Sequence, residues 1–231
     1  MDGLVDLLLI CLLLTNLVLL GSSRLLLCIR TLAVQGILLS LLPILFSGKN
    51  LSPHTLILPG ATFILRGIVF PLILEKTVRL VGVKREIEPF VGFSASLILG
   101  VAALYGCLVL AGRLGLSEMF SHAFLVPLSF FMIYTGLFLL VTRKKALTQV
   151  IGYLILENGI SCFGNAAALE FPWLVEAGIL LDILAGVFIM GILVFHINRE
   201  FDHIDTQKLS GLRDWRIRGR KRHPQTSGAD K

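Results

Sequence analysis

Charge is what this sequence has least of. Asp, Glu, Lys and Arg make up 16% of its 231 residues, against 55% hydrophobic residues and a mean hydropathy of +0.86, a balance that excludes a water-soluble fold. Cysteine is also sparse. Cys11, Cys28, Cys107 and Cys162 each stand alone in an apolar stretch, with no CxxC spacing for zinc, a cluster or thiol exchange, so buried packing is the expected role of all four. A glycine-rich phosphate loop, a nucleophile elbow and a metal-spaced group of ligands are all missing, so no cofactor or metal is expected. Strand-period alternation is absent too, which removes a β-barrel, and the apolar spans contain no lysine to which retinal could be attached.

What is present is a series of long apolar runs. Seven can be drawn, at 4–20, 25–46, 56–74, 90–111, 123–141, 148–169 and 173–197, with lengths from 17 to 25 residues. A bilayer-spanning helix needs about 20 apolar residues, and every backbone polar group in hydrocarbon must be satisfied within the segment. The fold class expected is therefore all-α: a polytopic membrane protein of about seven transmembrane helices. Asp2 and Asp6 stand where an export signal would carry positive charge, so the first run is expected to remain as a mature helix.

The basic residues predict the orientation. Eighteen of the 21 Lys and Arg residues fall on the side of the odd-numbered loops and the C-terminal tail, Arg30 among them at the start of the second run; only Lys49 and Arg113 fall on the opposite side, and Arg66 lies within a span. Cytoplasmic loops retain Lys and Arg, so the N-terminus is predicted outside and the C-terminus inside. The tail at 199–231, with RDWRIRGRKRH at 213–223, is then cytoplasmic. A disordered, lipid-contacting stop-transfer segment is its simplest reading, and docking to an acidic partner is the alternative. A net charge of +6 arranged in this way points to the membrane surface rather than to nucleic acid.

Function is expected where the membrane rule is broken, because charges at mid-bilayer are costly and face a bundle interior or a water-filled path. Glu157 lies about 14 Å into the sixth span and Asp182 at a similar depth in the seventh, while Arg66 is near the middle of the third. Gln35 in the second span is an uncharged fourth member. Glu157, Ser161, Gly164 and Ala168 share one helix face, and Gly178, Asp182, Ala185 and Gly186 share another, so both stripes are expected to face protein. Glu157 and Asp182 are candidate proton-path residues, and a fixed ion pair that only locks helices together is the alternative. Asn158, turned about 100° from Glu157, is expected to bond between helices, and support of the proton path is the alternative for it as for Gln35. Glu176 is a minority candidate for a proton exit, and His122, His196 and Trp173 read as interfacial residues. A loose repeat sets Arg24, Gln35 and Arg66 against Lys145, Glu157 and Asp182, a pattern common in transporters.

The stretch IGYLILENGI at 151–160, followed by PWLVEAGILLDILAGVFIMGIL at 172–193, resembles the hydrogenase-4 component E family, and RLLLCIRTLAVQ at 24–35 does so more weakly. The last three helices are also similar to the small K-type subunit of respiratory complex I and the C-type subunit of multisubunit sodium/proton antiporters. The resemblance implies a subunit of a membrane-bound nickel-iron hydrogenase or complex-I-like assembly in a prokaryotic inner membrane. Its partners would be antiporter-like membrane subunits and a peripheral redox arm. By position Glu157 matches the first mid-membrane glutamate of the K-type subunit, and Asp182 stands in place of the second. The resembled family often has lysine where this chain has Arg66, and arginine, unlike lysine, keeps its proton when buried. Arg66 is thus expected to be a fixed counter-charge.

The organisation expected is a four-helix membrane half at 1–112, a three-helix K-like unit at 113–198, and the basic tail at 199–231. A stand-alone ion-coupled transporter is the rival reading, though Pro43, Pro71 and Pro127 are expected near helix ends rather than at paired helix breaks. The orientation is testable directly: an impermeant thiol reagent applied from outside should label a cysteine introduced beside Lys49 and spare one beside Lys144, and the reverse pattern would invert the topology.

Overall fold

The computed structural model describes residues 2–47, 59–81, 90–115 and 124–167, together with positions 178, 181–184, 186–187 and 191. The described residues are helical apart from short turns. Among the described residues five helices are long and apolar enough to cross a membrane, and the protein is a helical membrane protein. Helices α1 (Asp2–Gly21) and α2 (Leu25–Ser47) are joined by Ser22, Ser23 and Arg24. A wide π-helical stretch (Phe63–Val69) runs into α3 (Phe70–Val81); α4 (Phe93–Arg113), α5 (Leu125–Thr142) and α6 (Ala146–Ala167) follow. Compactness divides the chain at residue 189, and all these elements lie in the first unit, Met1–Ile189.

The helical run through the third expected span continues to Val81, seven residues beyond the sequence-based boundary at 74. Pro71 is consequently interior to a helical run and not near its end, which corrects the sequence-based placement. Of the seventh expected span, Asp182 and its immediate neighbours 181–184 are helical. His122, Trp173, Glu176, His196 and the basic tail lie outside the described residues.

The core is built from side chains that share no strong one-sided periodicity, as expected of helices that are apolar all round. Leu9 and Leu12 of α1, Leu42 of α2, Leu128, Phe131 and Met132 of α5, and Cys162 of α6 are fully enclosed together. Hydroxyl groups inside this apolar medium are satisfied within their own helices. Ser129 donates to the Val126 carbonyl at 2.7 Å and Thr135 to the Phe131 carbonyl at 2.8 Å. In contrast, α4 has only 11% of its span buried and presents Ile98 and Tyr105 outward.

The most extensive helix contact joins α5 to α6, and it depends on glycine. A Cβ placed at Gly152 would sit 2.9 Å from the Leu140 nitrogen and 3.0 Å from the Gly136 carbonyl oxygen, and one at Gly159 would sit 2.7 Å from the Ile133 nitrogen. Between membrane helices such close backbone approach supplies van der Waals contact where no hydrophobic driving force exists. On the two stripes named from the sequence, Glu157 and Asp182 are buried and a Cβ at Gly186 would meet the Phe70 ring at 3.8 Å, whereas one at Gly164 or Gly178 would meet no described atom within 4 Å; the tightest approach of α6 to α5 is at Gly152 and Gly159.

The turn between α5 and α6 carries a second feature absent from the sequence-based reading. Arg143, counted there as a loop charge, is 1% exposed. Its Nη2 donates to the Leu20 carbonyl at 3.2 Å and its Nη1 to the Val91 carbonyl at 3.4 Å, while its guanidinium lies 4.5 Å above the Phe93 ring. Leu20 belongs to the last turn of α1, where carbonyls have no helical partner and a cation is favoured.

Enlarging Gly152 should separate α5 from α6. Gly152→Leu is expected to lower the apparent Tm of the purified protein by about 5 °C, from an overpacking cost of about 1–3 kcal/mol. Gly164→Leu, at an open position, should leave it within about 1 °C when both are followed by thermal shift in the same detergent.

Candidate functional site

Arg66 sits in the middle of the π-helical stretch, and the sequence gives the reason for that local geometry. Pro71 has no N–H to offer the Gly67 carbonyl, so the regular hydrogen-bond ladder is interrupted just after Arg66. The preceding turn widens, and the Phe70 N–H reaches back five residues to the Leu65 carbonyl. On the other side the backbone of Arg66 lies directly against α2. A Cβ at Gly36 would come within 2.9 Å of Arg66 C, Cβ and O, so glycine is what allows the arginine beside Gln35.

The guanidinium is enclosed by three acceptors from two other segments. Nε donates to Asp182 Oδ1 at 2.7 Å, Nη2 lies 2.6 Å from the same oxygen and 3.0 Å from Glu157 Oε1, and Nη1 donates to Asn158 Oδ1 at 3.1 Å. All of these side chains are buried, Glu157 most completely at 1% exposure. The polar contacts continue from Asn158, whose Nδ2 donates to Gln35 Oε1 at 3.2 Å; Gln35 Nε2 in turn contacts Thr15 Oγ1 at 3.5 Å. Thr15 donates its own proton to the Leu12 carbonyl at 2.6 Å.

Four of the residues singled out in the sequence, Arg66, Glu157, Asp182 and Asn158, thus meet in one contiguous cluster, and Gln35 joins it through Asn158. Glu176 lies outside the described residues. Thr15, Gly36 and the π-helical turn were not anticipated. Threonine and glycine are ordinary in membrane helices and carry no mark of their own, whereas Pro71 was a signal that could have found the turn.

The charge arithmetic of the cluster defines its chemistry. Arg66 is permanently cationic, so with both carboxyls ionised the cluster carries a net charge of minus one in a buried place. A single proton held between Glu157 and Asp182, which share contact with the same nitrogen, makes it neutral. Glu157 Oε2 is buried and has no hydrogen-bond partner among the described residues, which leaves one carboxyl oxygen open to a proton or a water. Among the described residues no group of three or more His, Cys, Asp or Glu is placed to hold a metal ion.

No protein-family model matches the chain, and no solved structure matches it. Two kinds of curated relative do. "Hydrogenase-4 component E" of Escherichia coli K12 is 28% identical over 173 residues, which cover 73% of this chain and 76% of that protein, and the protein of the same name from Shigella flexneri matches equally. The uncharacterized protein Rv0085 of Mycobacterium tuberculosis is 31% identical over 188 residues, 80% of this chain and 85% of its own length. The chain therefore belongs to the family of the Mycobacterium tuberculosis protein Rv0085 and is a distant homologue of hydrogenase-4 component E.

Proposed function

We propose that this protein is a non-catalytic membrane-arm subunit of a hydrogenase-type or complex-I-like redox complex and contributes to proton or sodium translocation through Glu157 and Asp182. The observation that carries the reading is the buried cluster of one arginine and two carboxyls. An ion pair needed only for packing would be satisfied by one carboxyl per arginine; the second carboxyl brings a site that is neutral only when it holds a proton. Arg66 acts as the fixed counter-charge that lets one carboxyl ionise when the proton leaves. The distant homology to a hydrogenase-4 component supports placement in such a complex. In this reading seven spans cross a prokaryotic inner membrane with the C-terminus inside. Electron-transfer chemistry belongs to the partners, which include antiporter-like membrane subunits and a peripheral arm.

The rival is a self-sufficient ion-coupled transporter, and the interrupted helix at Arg66 is the feature in its favour, since transporters bind their ions at such interruptions. Purification from the native membrane in mild detergent separates the two. Co-purification with large antiporter-like chains and a redox arm is expected, whereas recovery of a monodisperse particle of this chain alone would favour the transporter.

Within the assembled complex, Glu157→Gln removes the proton site while keeping the volume. Proton translocation per electron in reconstituted vesicles should fall about tenfold or more. Unchanged translocation and coupling would reduce the cluster to a helix lock.

A further inference from the structure

The cluster has a second arm that the proton-path reading does not use. From Arg66 a row of uncharged groups, Asn158, Gln35 and Thr15, runs through α6 and α2 to α1, with Asn158 and Gln35 fully enclosed and Thr15 half-buried. Chemistry fixes its direction. Arginine has donors and no acceptor, so Asn158 must turn its oxygen toward Nη1 and its amide nitrogen away. Gln35 must then present oxygen to Asn158 and nitrogen to Thr15, and Thr15, accepting from Gln35, donates to the Leu12 carbonyl. In each of these bonds the acceptor oxygen faces the arginine and the donated proton points away from it. The row ends on a backbone carbonyl, which has no proton to pass on, and side-chain amides do not release theirs near neutral pH.

We infer that Asn158, Gln35 and Thr15 are positioning residues: a one-way hydrogen-bond row that holds the Arg66 guanidinium against Glu157 and Asp182 and carries no protons itself. The aligned amide dipoles lend the cation negative potential on the side away from the carboxyls. Nη1 is thereby anchored, so the guanidinium stays in place when the carboxyl pair gains or loses its proton. The side of the cluster toward α1 and α2 is closed to proton traffic, and exchange with the carboxyls comes from elsewhere.

This inference rests on the proton-path reading, and the test separates the two. Proton translocation per electron is measured in vesicles containing the whole complex, with Glu157→Gln as the reference and co-purification of the partner chains as the check on assembly. Losses graded by distance from Arg66 are expected: about tenfold for Asn158→Leu, about threefold for Gln35→Leu, and less for Thr15→Val. The double variant Gln35→Leu/Asn158→Leu should be no worse than Asn158→Leu alone, because both act through one hydrogen bond. Thr15→Ser, which keeps the hydroxyl and loses a methyl, should restore what the isosteric Thr15→Val removes. If Asn158→Leu does not assemble, the Gln35→Leu loss and the Thr15 pair decide. Equal and complete losses at all three positions would make the row a proton carrier, and unchanged coupling in Gln35→Leu and Thr15→Val would make it packing; either overturns the inference. Intact translocation in Glu157→Gln would instead remove the reading beneath it.

Discussion

A permanently charged guanidinium in the middle of an apolar bundle is the constraint around which this fold is arranged. An arginine at the centre of a membrane helix costs about 2.5–3.5 kcal/mol to insert on translocon-based scales, and removing one partner of a buried ion pair commonly costs about 3–5 kcal/mol. Arg66 meets that cost by drawing acceptors from segments that are far apart in sequence: Glu157 and Asn158 on α6, and Asp182 beyond it. The surrounding architecture serves this convergence. Gly36 lets α2 abut the arginine's backbone, the wide turn before Pro71 surrounds it, and the glycine-mediated contact of α6 with α5 holds the helix that supplies Glu157 and Asn158.

Two carboxyls on one cation create a different situation from a simple salt bridge. A one-to-one pair is most stable fully ionised and has no reason to change. Adding a second acid makes the protonation state a variable, with two carboxyls to share a single proton. Glu157 Oε2, which has no hydrogen-bond partner among the described residues, fits such a variable site, because a fixed structural acid would be expected to have both oxygens satisfied. The uncharged row on the far side of Arg66 has the opposite character. Each of its amide oxygens and nitrogens has a partner along the row from the arginine to the Leu12 carbonyl, so it resists rearrangement where the carboxyl side invites it.

The charged members of the cluster were legible because a membrane sequence makes charge conspicuous. Arg66, Glu157 and Asp182 interrupt runs of aliphatic residues, and Gln35 and Asn158 stand out almost as clearly. Depth along a helix then follows from counting residues. What sequence does not encode so plainly is azimuth. Gly164 was singled out in the sequence beside Glu157, while Gly152 and Gly159, where α5 approaches most closely, were passed over, because only the neighbouring helix marks that face. Thr15 was hidden because a threonine in such a helix usually bonds its own backbone, as this one also does. Arg143 was hidden for another reason: in a run of three basic residues beside a turn, topology explains each of them equally, and burial of one depends on contacts with Leu20 and Val91 far away in the chain.

That last arginine bears on how the protein is made. The carbonyl end of α1 is capped by a residue 123 positions later, so it leaves the ribosome long before its partner exists. Until residue 143 has been synthesised, that helix end must rely on water or lipid headgroups for its hydrogen bonds. Arg66 is in the same position, since its carboxyl partners follow 91 and 116 residues behind it. The first half of the chain therefore enters the membrane unfinished, and its two most demanding polar contacts close only when the second half arrives. Such a protein assembles as a whole, and a chain interrupted before α6 would be left holding an unpaired charge that quality-control proteases can recognise.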